Sequence, residues 1–170
     1  MRLLFVLCFL FSLNLFSQDD ILAREYFKKG EFEKALISYK KLYSKNKGNS
    51  NYLTQLVKTH QQLEQYKAVD TLLLNYLNIS NNPAIFVKLG YNYTLQNDTL
   101  KANINYKKAI DVIDTNPNFA GIIGRSFEDF SLLELAIETY EKAMSLKPDL
   151  NFNYQLARIY GEQSNIEKMF

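Results

Sequence analysis

Residues 116–148, NPNFAGIIGRSFEDFSLLELAIETYEKAMSLKP, decide the fold. They read as two amphipathic helices joined by a short turn. Asn116 ahead of Pro117 supplies an N-cap and then the helical position at which a missing N–H costs nothing. Ile123, Gly124 and Phe127 share one face of the first helix, because residues three and four apart stack on a 3.6-residue period. Ala136, Tyr140 and Ala143 do the same on the second, and Lys147-Pro148 ends it. Small residues let the two backbones approach closely while the Phe127 and Tyr140 rings fill the space between them. One such pair cannot bury its apolar face alone, so the rest of the chain must supply neighbours.

The neighbours are visible as a repeat. The small residue of the first helix recurs at Ala23, Val57, Gly90, Gly124 and Ala157, in steps of 34, 33, 34 and 33 residues. An aliphatic precedes each one (Leu22, Leu56, Leu89, Ile123, Leu156), and a flat ring follows three residues later (Tyr26, His60, Tyr93, Phe127, Tyr160). The second helices repeat as well: Ala35-Tyr39-Leu42, Val69-Leu73-Tyr76 and Ala102-Tyr106-Ala109 match Ala136-Tyr140-Ala143. This period and pattern resemble the tetratricopeptide repeat over roughly residues 19–170. The second repeat departs most, with Val57 and Val69 for small residues and His60 for the ring. The resemblance implies an all-α, right-handed superhelical solenoid of antiparallel helix pairs. It would hold four full repeats, about 18–49, 50–82, 83–115 and 116–148, and a partial fifth over 149–170.

Residues 1–17 stand apart from the repeats. Arg2, the apolar run Leu3–Phe11 and a small residue at Ser17 read as a secretory signal peptide cut before Gln18. The segment resembles short signals ending Phe-Ser-Gln in bacteria of the Bacteroidetes, which places the rest of the chain in the periplasm or cell envelope. The apolar run is shorter than the roughly 20 residues of a spanning helix. Cys8, the only cysteine, lies inside it and lacks the small residues that precede a lipidated cysteine. A mature chain from Gln18 would have no disulfide, thiolate metal site or Cys nucleophile. With Arg2 removed it would carry 19 basic and 18 acidic side chains, so no global field points to nucleic acid or an anionic membrane.

Taken in order, the first helix is expected to reach about Lys29, with Gly30 making the turn to a second helix that carries Phe32–Leu42. A polar connector, 44–50, precedes helices around Tyr52–Gln62 and Tyr66–Leu77. Asn81-Asn82-Pro83 should cap the third repeat, whose helices join at Gln96-Asn97-Asp98. A fifth first-helix is expected over Asn151–Gly161, with a partner beginning at Asn165 and carrying Ile166, Met169 and Phe170. That ending favours an N-terminal part of a longer exported protein over an array capped by its last helix.

Little in the sequence could carry chemistry. His60, the single histidine, occupies a ring position and reads as a core imidazole with one satisfied nitrogen. No serine-nucleophile elbow, phosphate-binding loop or dinucleotide fingerprint is present. Glu31, Glu33, Glu128 and Asp129 read as surface carboxylates with nothing set to separate their pKa values. The sequons at Asn78, Asn92 and Asn97 are of the kind expected by chance in an Asn-rich chain. The expectation is therefore no enzyme, no cofactor and no metal.

A binding surface is more legible. In the family it resembles, first helices line a concave groove in which peptides or partner helices dock. The residue after each small position would face that groove: Arg24, Lys58, Tyr91, Arg125 and Arg158, joined by Tyr154 one turn before Arg158. Such a row could grip an acidic segment or a terminal carboxylate, tyrosine adding apolar area at low entropy cost. The alternative is that these cations only solvate an exposed face, with Glu128 and Asp129 offsetting their charge. The carboxylate clamp of chaperone-binding members also needs Lys and Asn one turn earlier, where this chain has Asp20, Thr54, Val87, Gly121 and Tyr154, so its ligand does not carry over. The function expected is a non-catalytic scaffold binding a protein or peptide, acidic segments included. The alternative is a structural segment of a larger exported or outer-membrane-associated protein.

Overall fold

The computed structural model describes residues 19–167, and among them every regular element is helical. The expected signal segment, 1–17, lies outside the described residues, as do Met169 and Phe170. One compact unit, reaching to Ser80, holds α1 (19–28), α2 (Phe32–Lys45), α3 (Ser50–Gln62) and α4 (Tyr66–Leu77). A second, from Asn81, holds α5 (Ala84–Thr94), α6 (Thr99–Asp111), α7 (Ala120–Glu128), α8 (Leu133–Leu146) and α9 (Leu150–Glu167). None of these helices is long and apolar enough to cross a membrane.

The same hydrogen-bonded turn closes α1, α3, α5 and α7. Gly30, Glu64, Asn97 and Ser131 take left-handed φ values of 75°, 55°, 59° and 58°. In each case the next N–H reaches back to the carbonyl of the ring position: Glu31 to Tyr26, Gln65 to His60, Asp98 to Tyr93 and Leu132 to Phe127, at 2.9–3.0 Å. The left-handed residue itself donates to a carbonyl three residues earlier, at 2.8–3.1 Å. This is the Schellman arrangement, which satisfies carbonyls orphaned at a helix end. A non-glycine residue held left-handed costs on the order of 1 kcal/mol. Only Gly30 avoids that cost, so the other three turns persist because the following helix packs back on its partner.

Side-chain caps mark the helix starts named in the sequence. Asn49 Oδ1 accepts from the Asn51 and Tyr52 N–H groups at 2.9 and 3.2 Å, and Asn82 Oδ1 from Ala84 at 3.0 Å. Asp98 Oδ1 accepts from Lys101 N–H at 3.1 Å. Asn116 also caps, accepting from Asn118 at 3.2 Å, but α7 does not begin there. A 3₁₀ turn, Pro117–Phe119, comes first and follows another at Val112–Asp114; such tight turns are frequent at helix ends.

The expected break near Gly161 is absent. α9 runs from Leu150 to Glu167 as one helix, and no second helix follows it among the described residues. Ala157, its small residue, is exposed.

Each unit has its own core. In the first, Ala23, Ala35, Leu36, Tyr39, Leu42 and Leu56 cluster, with Tyr26, Phe27 and Tyr52 against them. In the second, Phe127 and Tyr140 are fully buried among Ala120, Ile123, Ala136 and Ile159. Burial of such a side chain contributes roughly 1.5–3 kcal/mol. Tyr106 meets Phe127 edge-on, with centroids 5.5 Å apart and planes at 66°. A Cβ on Gly90 would overlap the Tyr106 ring, and one on Gly124 the Tyr140 ring, so both glycines are set by close helix approach.

Candidate partner-binding site

The six residues of the expected row divide between the units: Arg24 and Lys58 in the first, Tyr91, Arg125, Tyr154 and Arg158 in the second. Their surroundings differ sharply. Arg24 is exposed and pairs with Asp20, one turn earlier on α1, at 2.8 Å. Lys58 and Arg125 are exposed. Tyr154 is 67 % exposed on α9. Tyr91 is half-buried and stacks on Phe130 at 4.1 Å and 14°, with the Lys88 ammonium 5.8 Å from the Phe130 centroid. The Tyr91 face is thus occupied by Phe130, from the turn after α7.

Arg158 is the most committed. It pairs closely with Glu128 and reaches Glu162 at 3.0 Å and Gln155 at 3.0 Å. The hydrogen bond to Glu128 is the leading reason its guanidinium is held charged even more firmly than usual. Glu128 also accepts from the Tyr140 hydroxyl at 2.8 Å, so one carboxylate ties α8 and α9 to the end of α7. Burial first, and the Glu128 carboxylate second, push the Tyr140 phenol far above its ordinary range. The sequence reading of Glu128 as a plain surface carboxylate is corrected: its side chain is 16 % exposed, because Arg158 and Tyr140 close over it. The positive charges of Arg125 and Arg158 oppose the rise at Tyr140.

His60 is buried, with Nδ1 2.8 Å from Gln65 Oε1. That hydrogen bond joins the two residues whose side chains commonly touch in a Schellman turn, which accounts for the imidazole without a ligand. Burial lowers its pKa, the Gln65 bond opposing and Lys40 assisting. Among the described residues no group of His, Cys, Asp and Glu could hold a metal ion.

One concavity that includes a member of the row lies between α1 and α3. It is a cleft of about 440 Å³ lined by Asp20, Arg24, Lys28, Tyr39, Asn51 and Gln55, with Phe27, Tyr52 and Thr54 completing it. Lys58 does not reach it. The sequence reading missed Lys28, Tyr39 and the two amides. Their one sequence-level signal was Phe27, an apolar ring where later repeats carry Thr94 and Glu128.

Comparison with known proteins bears on the fold. Residues 121–150 match the model of the tetratricopeptide repeat family. No curated protein matches the chain. A solved double mutant of MamA RS-1 aligns over 90% of this chain and 87% of its own, at 16% identity and a TM-score of 0.50. MamA from Desulfovibrio magneticus RS-1 aligns over 90% and 88%, at 16% identity and 0.49. TTC0263, a thermophilic tetratricopeptide protein of Thermus thermophilus, aligns over 82% and 78%, at 20% identity and 0.47. At these identities the likeness is one of architecture. The chain thus carries a tetratricopeptide repeat at 121–150 within an all-α fold of tetratricopeptide-like helix pairs.

Proposed function

We propose that this protein is a non-catalytic, protein-binding scaffold of the bacterial cell envelope, exported by residues 1–17 and gripping a partner peptide along its first helices. Repeats of this type are typically protein-interaction modules. The observation that carries the reading is the cleft between α1 and α3, where Arg24 of the basic row stands beside further unshared donors and two aromatic walls. A concave, partly apolar site with a few convergent polar groups is what peptide recognition needs. The occupied surroundings of Tyr91 and Arg158 weight the reading toward the first unit.

Cross-linked capture from envelope extract, with the full chain as bait, tests it. A parallel bait with Arg24, Lys58, Arg125 and Arg158 changed to Glu should lose the partner while keeping its helical circular dichroism. Equal capture by both baits would remove the basic row from the site. Capture of nothing by either would leave a structural spacer as the function.

A further inference from the structure

Tyr39, Tyr106 and Tyr140 occupy equivalent places in the first, third and fourth repeats. In the third, the Tyr106 hydroxyl is 2.9 Å from Thr94 Oγ1; in the fourth, Tyr140 donates to Glu128 at 2.8 Å. The residue equivalent to Thr94 and Glu128 in the first repeat is Phe27, which can accept nothing. Tyr39 is only 1 % exposed, its hydroxyl makes no hydrogen bond to the described residues, and the open side of its ring lies at the cleft. It lines the cleft, and the charges acting on it are those of Asp20 and Arg24, which line the cleft too. Burial pushes the phenol up, so the group stays a donor at neutral pH.

The remaining chemistry of the cleft points the same way. Asp20 neutralises Arg24 at 2.8 Å. Lys28 lines the same wall without an ion pair among the described residues, leaving one uncompensated positive charge. Asn51, Gln55 and Thr54 add neutral donors, and Phe27 and Tyr52 add apolar walls. A donor-rich site carrying a single positive charge suits a singly charged, acceptor-only group, and a carboxylate is that group. A doubly charged phosphate would face Asp20 with only half its charge met.

We propose that the cleft between α1 and α3 receives the side-chain carboxylate of an acidic peptide segment, with the Tyr39 hydroxyl and the Lys28 ammonium as its donors. The proposal rests on the protein-binding reading above and gives it a subsite. The probe is a fluorescent hexaglutamate peptide blocked at both ends, so that only side-chain carboxylates are offered, titrated against the full chain by anisotropy. Hexaglutamine of the same design is the control. The parent should bind hexaglutamate and not hexaglutamine. Tyr39→Phe keeps the buried ring, and Lys28→Gln sits on the surface; each should weaken binding about tenfold, as expected for loss of one hydrogen bond to a charged group. Lys47→Gln, which removes the same charge from the connector, should change nothing. Equal affinity in Tyr39→Phe and parent, equal loss in Lys47→Gln and Lys28→Gln, or no binding of hexaglutamate would each overturn the proposal. Binding that survives both cleft variants but falls with Arg125→Glu would overturn the subsite while leaving the scaffold reading in place. Failure of peptide binding together with failure of partner capture would remove both.

Discussion

Tyr39 and Tyr140 stand at matching positions of two helix pairs, and the surroundings of their hydroxyls are opposite. In the second unit, Tyr140 gives its proton to a hydrogen bond with Glu128, Glu128 holds Arg158, and Arg158 also reaches Glu162. Donors and acceptors there satisfy one another, which fixes α7, α8 and α9 and leaves little for a partner. In the first unit Phe27 replaces the acceptor, Asp20 is taken up by Arg24, and the Tyr39 hydroxyl faces a cleft. One repeat pattern therefore yields a self-satisfied region and a donor-rich one. The difference comes from a single position per repeat, not from the packing residues.

The largest effect should come from breaking the helix approach in the second unit. Gly124→Leu drives a side chain into the Tyr140 ring and should cost about 3 kcal/mol or more by denaturant unfolding. At the equivalent positions the second repeat has Val57 and Leu73, both buried. Gly124→Val combined with Tyr140→Leu should copy that exchange and recover part of the stability lost in Gly124→Val alone. No recovery would mean that the two pairs do not pack alike.

Removing single hydroxyls sharpens the contrast itself. Tyr140→Phe breaks a bond to a carboxylate and should cost about 1–2 kcal/mol, with partial exposure of the Arg158 end limiting it. Tyr39→Phe breaks no hydrogen bond among the described residues and should leave stability within about 0.5 kcal/mol. Equal losses at the two sites would erase the distinction between the units.

A smaller effect belongs to His60 and appears only in acid. Its folded pKa lies below the ordinary 6.5 because burial disfavours the charged ring. The unfolded chain therefore binds the proton first as pH falls, so stability drops from about pH 6.5 downward toward the folded value and is unaffected above that window. A His60→Phe variant, with a ring as in the fourth repeat, should flatten this part of the melting-temperature profile. An unchanged slope would assign the acid sensitivity to other groups. The smallest effect concerns Ser126, whose buried hydroxyl has no partner among the described residues. Ser126→Ala should be neutral or stabilising by up to about 1 kcal/mol in the same melts.

Much of the architecture was legible before any coordinates. Recurrence in phase of a small residue, a ring and a second-helix Tyr or Leu identified the first four pairs but not the run of α9 past Gly161, and Gly124 was readable as a close-packing position because only a missing Cβ admits a ring so close. The turns were legible in position but not in conformation. Glu64 and Ser131 are not residues one would choose for a left-handed backbone, and only packing of the next helix holds them there. The candidate site was legible in part. Spacing along a helix placed Arg24 and Arg158 on equivalent faces, but spacing carries no information about what stands opposite.

The sequence by itself determined the class of fold, the length of the repeat and the apolar faces, because these follow from a period that local helix geometry imposes on any such chain. Tertiary structure decided which of the equivalent cations and tyrosines are already partnered. Those partners, Glu128 for Tyr140 and Arg158 or Phe130 for Tyr91, come from elements one or two helices away. An ion pair or a hydrogen bond depends on distances of a few ångströms between separate helices, and no one-dimensional pattern contains them.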